Sequence, residues 1–221
     1  MSPPGRPKGE YRSAKHAGTP VSARRSAGFT LVELLITMTL IAFLLMLAVP
    51  ALGTWSADAR VRSVAESMQN AVRLAQATAV ARSRSTVFAL TSATPTWNAM
   101  PTANGSNWYV DVLPLSVSDE SASTDSLVQA ATVASQYGVT ITGQALLCFN
   151  SLGQQATKTA AATGLSATCT ASADDSSAPV AYTLSKTGGS RTLKVLVYLG
   201  GQVRMCDAAK TLSTTNPDGC P

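Results

Sequence analysis

The sequence predicts an α+β protein in which one long N-terminal helix packs on a mostly antiparallel β-sheet domain. Three observations lead there. An uncharged apolar run, Leu34 to Ala57, merges into a stretch whose apolar residues recur at three- and four-residue steps. After Arg84 the apolar period changes to two, and the last strand-like segments are separated by Gly-Gly pairs. With 221 residues, 45% of them hydrophobic and only 13% charged, the chain allows one globular domain and a membrane segment.

Residues 1–28 form a basic leader rich in Pro, Gly, Ser and Arg. They hold Arg6, Lys8, Arg12, Lys15, Arg24 and Arg25 against Glu10, which accounts for the whole formal charge of +5. Everything from Phe29 onward is neutral, so the basic balance belongs to a segment expected to be disordered and retained in the cytoplasm.

Residues 29–52 read as a transmembrane helix, because Leu31 to Val49 alone is long enough to cross a bilayer core, for which about 20 residues suffice. A cleaved secretory signal fits less well. Its apolar stretch is shorter, and Ala48-Val49-Pro50-Ala51 places a proline beside any cut. The basic flank orients the anchor with its start in the cytoplasm. Pro50 falls near the end of the run, where a kink costs least.

Glu33 stands at the start of this run. A carboxylate at the centre of a membrane helix costs roughly 2.5–3.5 kcal/mol on insertion scales. One reading is local: in the first turn and a half the helix dipole favours a negative charge, and the side chain sits at headgroup depth. The other requires a cut after Gly28, which would create a cationic amine on Phe29 that Glu33 of a neighbouring subunit could neutralise.

The octet GFTLVELL, Gly28 to Leu35, resembles the processing signal of type IV pilins and pseudopilins. The resemblance implies that a prepilin peptidase cuts after Gly28 and methylates the new amine of Phe29. It also implies that Glu33 docks the subunit into a helical filament. Other pilin or pseudopilin subunits, the peptidase and the inner membrane are then the expected partners. The chain would be single-pass, with its C-terminal domain in the periplasm before assembly into a pilus or pseudopilus.

Residues 53–85 continue the helix as an amphipathic half. Val61, Val64, Ala65, Met68, Val72, Ala75 and Ala79 share one stripe, with Arg62, Glu66, Gln69, Asn70 and Arg73 on the other faces. The whole helix, Phe29 to about Arg84, would be roughly 80 Å long. Residues 86–221 form the β domain. Ser85 to Leu90 and Asn107 to Leu113 read as strands separated by a loop with Asn104-Gly105. Ser116 to Ser135, with Asp119, Glu120 and Asp125, reads as a loop and strand lead-in. Tyr137 to Thr142 and Ala145 to Asn150 read as a hairpin around Gly143-Gln144. Val180 to Leu184, Thr192 to Leu199 and Gln202 to Cys206 follow, with two-residue turns expected at Gly188-Gly189 and Gly200-Gly201. Leu193, Val195, Val197 and Leu199 share a face.

RLAQATAVARSR (Arg73 to Arg84), CFNSLG (Cys148 to Gly153) and Gly201 to Asp207 together resemble pilins and pseudopilins with a GspH-type domain, most of all the FimT and FimU group of minor pilins. That resemblance implies a part in initiating or capping a pilus; the related alternative is the minor pseudopilin of a type II secretion system. Some FimT proteins bind DNA through Gly-Arg-x-Arg. This chain has Gly201-Gln202-Val203-Arg204, one arginine short. A candidate DNA patch comprises Arg204, Lys194, Arg191 and Lys186, diluted by Asp207 and Asp218. Four basic residues on exposed strands are also ordinary edge protection. Arg60, Arg62, Arg73, Arg82 and Arg84 form a second basic set, suited to neighbouring subunits.

Cys148, Cys169, Cys206 and Cys220 all fall in the periplasmic part, an even count that suggests disulfides, without the C-x-x-C spacing of zinc sites. Of three connectivities, Cys148–Cys169 with Cys206–Cys220 needs only local loops, and each bond would contribute about 3 kcal/mol. Catalysis is not expected. The sole histidine, His16, lies in the leader, no phosphate loop follows either Gly-Gly pair, and Asp174-Asp175 reads as a solvated pair that would at most attract calcium. No cofactor is implied.

Overall fold

The computed structural model describes residues 28–97, 99–115, 126–173 and 179–221. The leader with His16, the acidic residues Asp119, Glu120 and Asp125, and the pair Asp174-Asp175 lie outside the described residues. The chain divides into two compact units, one ending at Leu44 and one comprising Leu45–Pro221. Helix α1, Leu31–Arg82, contributes to both and is 52 residues long.

The described part of the first unit is the opening of α1. Thr30 caps it: its Oγ1 accepts the Glu33 backbone N–H at 3.2 Å, satisfying one of the donors that a helix start leaves without a partner. The apolar side chains that follow, from Leu31 and Val32 through Phe43 and Leu44, are all exposed. Its two threonine hydroxyls are satisfied within the helix, Thr37 donating to the Leu34 carbonyl at 2.9 Å and Thr39 to the Ile36 carbonyl at 2.8 Å. Among the described residues no helix is long and apolar enough to cross a membrane. Leu47, Pro50 and Ala51, whose side chains lie outside the described residues, fall within or beside the run read as spanning.

In the second unit α1 buries the expected stripe: Val61, Val64, Ala65, Met68, Val72, Ala75 and Ala79, joined by Ala71, are all inaccessible to solvent. The helix stops in a Schellman arrangement, with Arg84 N–H donating to the Ala79 carbonyl and Ser83 N–H to that of Val80. Ser83 takes the left-handed conformation that glycine usually supplies there.

Among the described residues ten strands follow: β1 (Thr86–Thr91), β2 (Asn107–Val112), β3 (Leu127–Ala131), β4 (Thr140–Thr142), β5 (Leu146–Phe149), β6 (Gln155–Ala156), β7 (Val180–Ser185), β8 (Leu193–Val197), β9 (Val203–Thr211) and β10 (Gly219–Cys220). Two short helices, α2 (Val133–Tyr137) and α3 (Ala160–Thr163), lie among them. The strands form two sheets, ordered β3-β2-β1-β5-β6 and β10-β9-β8-β7-β4. All pairings are antiparallel except β9 with β10. Phe88, Leu90, Trp108, Val110, Leu147 and Phe149 of the first sheet join Ile141, Tyr182, Leu184, Leu193, Val195 and Val197 of the second against the α1 stripe. The first sheet is buried on its other face as well, where Val87, Ala89, Tyr109, Leu146 and Cys148 meet Ala99, Leu113 and Cys169. Two-sided burial explains why β1, β2 and β5 read as nearly continuous apolar runs.

Three sequence expectations are corrected. The hairpin around Gly143-Gln144 does not form: β4 pairs with β7 in the second sheet, whereas β5 pairs with β1 in the first. The segment between them is a crossing, pinned where Gly143 N–H donates to Asn104 Oδ1 at 2.9 Å and Asn104 N–H returns to the Gly143 carbonyl at 3.1 Å. Gly143 lies directly against the Tyr182 ring, in space a Cβ would need. Second, Tyr137 ends α2 rather than opening a strand, and Gly138 in the left-handed region closes that turn. Third, Gly200-Gly201 is not a two-residue turn. Tyr198 N–H donates to the Gln202 carbonyl and Gly201 N–H to that of Tyr198, so Leu199, Gly200 and Gly201 form a three-residue loop with Gly201 at φ +95. The loop between β7 and β8, from Lys186 to Thr192, is likewise longer than Gly188-Gly189 suggested.

Met68 is a fully buried member of the stripe between the sheets. Met68→Ala is expected to destabilise the domain by about 2–5 kcal/mol, whereas Val80→Ala, at an exposed position of the same helix, should change it by less than about 0.5 kcal/mol. Urea denaturation of the detergent-solubilised chain, followed by near-ultraviolet circular dichroism, measures both.

Candidate functional site

The candidate processing and assembly residues sit at the start of α1. Gly28 and Phe29 precede the helix in a non-helical stretch, and Phe29 is 82% exposed. Among the described residues nothing lies within 4 Å of the space beside the Gly28 Cα where a side chain would be. Glu33 lies in the first turn of α1, where the N-terminal partial positive charge favours it. Its backbone N–H is satisfied by Thr30, and among the described residues its carboxylate makes no hydrogen bond or ion pair. Thr30 was legible as the first member of a T-x-x-E pattern, the signature of a capped helix start.

Three of the four candidate DNA-binding residues have other engagements. Arg191 donates through Nε and Nη2 to Asp207 Oδ2, at 3.2 and 2.9 Å. Asp207 is buried, and Ala209 N–H satisfies its other oxygen at 3.1 Å. A buried carboxylate without these partners would be costly. Arg204 donates to the carbonyls of Pro217, at 2.9 Å, and Gly219, at 3.4 Å. Lys186 Nζ donates to the Tyr137 carbonyl at 2.6 Å and the Gly138 carbonyl at 3.4 Å, at the end of α2. Lys194 stands opposite Cys206 in the β8–β9 register, on the face away from the core.

The helix arginines are also engaged in part. Arg62 pairs with Glu66 one turn on at 2.8 Å, Arg73 reaches the Val203 carbonyl at 3.4 Å, and Arg84 that of Leu113 at 2.9 Å. Arg60 and Arg82 are exposed. Gln76, which composition reasoning passed over, holds two loops at once, donating to the Gly153 carbonyl at 3.4 Å and to that of Gly201.

Two disulfides join Cys148 to Cys169 and Cys206 to Cys220, the sequential connectivity. The second folds the tail back on β9. There Asp207 N–H donates to the Asp218 carbonyl and Leu212 N–H to that of Cys220, both at 2.8 Å, and Lys210 pairs with Asp218 at 2.6 Å. The Lys210 bond holds the exposed Asp218 carboxyl below its ordinary range. Tail, bond and ion pairs form one clamp around Arg204.

Asp58 is a further carboxylate that sequence reasoning missed, because its partners lie far along the chain. Its Oδ1 accepts the N–H groups of Ser190 and Arg191, at 2.8 and 3.0 Å, and its Oδ2 the Ser190 hydroxyl at 2.7 Å. These bonds tie α1 to the loop between β7 and β8, and the Ser190 hydroxyl leads in pulling the Asp58 pKa down against the opposing effect of burial. At Asp111 burial is the leading effect, and the pKa is raised.

Residues 23–49 match the prokaryotic N-terminal methylation motif. No curated protein matches the sequence significantly. Among solved structures, two crystal forms of the type IV minor pilin FimU of Pseudomonas aeruginosa strain PAO1 are similar at 13% identity. One has a TM-score of 0.43 over 71% of this chain and 95% of that one; the other has 0.40 over 67% and 94%.

Because the folded-state pKa of Asp58 is depressed, its contribution is full above the ordinary aspartate range near pH 4 and is lost as pH falls through and below it. Asp58→Asn should therefore lower stability at pH 7 and flatten its decline between about pH 5 and pH 3. Urea midpoints of both proteins across that window check this; parallel declines would contradict it.

The chain thus combines a prokaryotic N-terminal methylation motif with a long N-terminal helix packed on antiparallel sheets.

Proposed function

We propose that this chain is a minor type IV pilin. Its leader is removed after Gly28, the new amine of Phe29 is methylated, and residues 29–52 anchor it in the inner membrane with residues 86–221 in the periplasm. From there α1 carries it into a filament. The observation that supports this most directly is the methylation motif over residues 23–49, which opens a helix whose first-turn Glu33 carboxylate has no partner within the described chain.

The chemistry follows from charge. An unpaired carboxylate among packed apolar helices is costly, at roughly 2.5–3.5 kcal/mol on insertion scales. Removal of the leader creates one cation, the terminal amine, and takes away the net positive charge that holds the segment on the cytoplasmic side. Side-by-side packing of helices brings the amine of one subunit to Glu33 of another, so the pair sets the register while apolar contact supplies adhesion. The clamp around Arg204 and the pairing of Arg191 with Asp207 favour a structural role for these residues over DNA binding.

The expected form in native membranes begins at N-methylated Phe29, and mass spectrometry of the extracted protein reads this directly. Glu33→Ala should leave cleavage intact but abolish or strongly reduce pilus incorporation, scored by pilus shearing and immunoblotting. Retained pili with lost protein secretion in that variant would identify a minor pseudopilin of a type II secretion system instead. Retention of residues 1–28 in the native form would overturn both readings.

A further inference from the structure

A groove of about 440 Å³ opens where the uncharged run of α1 ends. That volume falls within the roughly 300–1,000 Å³ of small-ligand sites. One wall is α1, with Gly53, Ser56 and Arg60; the other is the loop after β7, with Lys186, Thr187 and Gly188. Two cations thus approach one space from elements far apart in the chain.

They do so differently. Lys186 is held in place by the Tyr137 and Gly138 carbonyls, which occupy two of the three N–H donors of its ammonium group. Arg60 is exposed, and among the described residues it makes no ion pair or hydrogen bond. Its planar guanidinium is suited to two phosphate oxygens at once. The neighbouring carboxylate, Asp58, is turned to Ser190 and Arg191 on the far side of the loop, so its oxygens are already satisfied. Gly53 and Gly188 leave open space where side chains would otherwise narrow the groove. Ser56 and Thr187 add hydroxyls to its lining.

The position matters as much as the charge. Gly53 and Ser56 belong to the last turns of the uncharged run, and Arg60 is its first basic successor. Trp55, 71% exposed, lies between them in sequence; tryptophan at the end of a spanning helix favours headgroup depth.

We propose that this groove binds a phosphate-bearing anion, presented to it as the headgroup of an anionic lipid on the outer face of the inner membrane. This rests on the membrane-anchored reading above. Headgroup capture would hold the β domain against the bilayer until the subunit is extracted.

The test uses the full chain in neutral detergent micelles, titrated separately with dihexanoyl phosphatidylglycerol, dihexanoyl phosphatidylcholine and inorganic phosphate, with tryptophan fluorescence as readout. Saturable binding of phosphatidylglycerol, weakened about tenfold or more by Arg60→Gln and unchanged by Arg82→Gln, is the expected result. Equal Arg60-dependent binding of inorganic phosphate would keep the anion site but overturn the lipid source. Indifference to Arg60→Gln, or no saturable binding of either anion, would overturn the site. Flotation of the same full chain with neutral phosphatidylcholine vesicles reports anchoring independently of Arg60, so loss of flotation marks failure of the membrane reading and not of the groove.

Discussion

The second half of α1 has to satisfy two sheets at once, and the rest of the domain depends on that contact. Helix residues 61 to 79 supply one face to both, and half of that face is alanine: Ala65, Ala71, Ala75 and Ala79. Small side chains let the strands approach closely enough for Phe88, Phe149, Leu184 and Val195 to interdigitate with Val61, Val64, Met68 and Val72. Thr86 fastens the start of β1 to the helix by donating its hydroxyl to the Ala75 carbonyl at 2.8 Å. A larger residue at any of these alanines would overfill a cluster that both sheets share.

Around this contact, several of the described loops are tied to something distant. Asp58 holds the β7–β8 loop, Gln76 the turns at Gly153 and Gly201, and Asn104 the crossing at Gly143. The disulfide from Cys206 to Cys220 and the Arg191–Asp207–Asp218 cluster do the same for the tail. Short strands such as β6 and β10 have too few ladder bonds to persist alone. Side-chain clamps and disulfides replace the missing ladder.

These ties also mark where sequence reading succeeded and failed. The helix and the β7–β8–β9 meander were legible because their periods are local and long: the stripe from Val61 to Ala79 is buried throughout, as are Leu193, Val195 and Val197. The two segments flanking Gly143 were equally strand-like, but nothing in Ile141 or Leu146 specifies which sheet each joins. That choice is made by Leu184 and Ala89, their partners in register, far along the chain. The partners of the basic residues were hidden for the same reason. Arg191 and Arg204 look solvated until Asp207 and the folded-back carbonyls are in place. Charge patterning along a sequence says little about pairs separated by a strand or a loop.

The start of α1 separates two jobs that a single glutamate often combines. In a capping box the acidic side chain at the fourth position returns to the helix start and is used there. Here Thr30 satisfies the Glu33 N–H, yet no reciprocal bond from the Glu33 carboxylate exists among the described residues. The threonine is thus sufficient to begin the helix, and the carboxylate is surplus to the fold of this chain. The helix dipole favours a first-turn carboxylate, but on a face of exposed apolar surface its remaining acceptors are open to a donor from another molecule. In the proposed reading the amine released at Phe29 would be that donor in every processed copy. Pairing between copies would then need no second kind of protein: the cut that removes the basic leader would also supply the charge that pairs with Glu33.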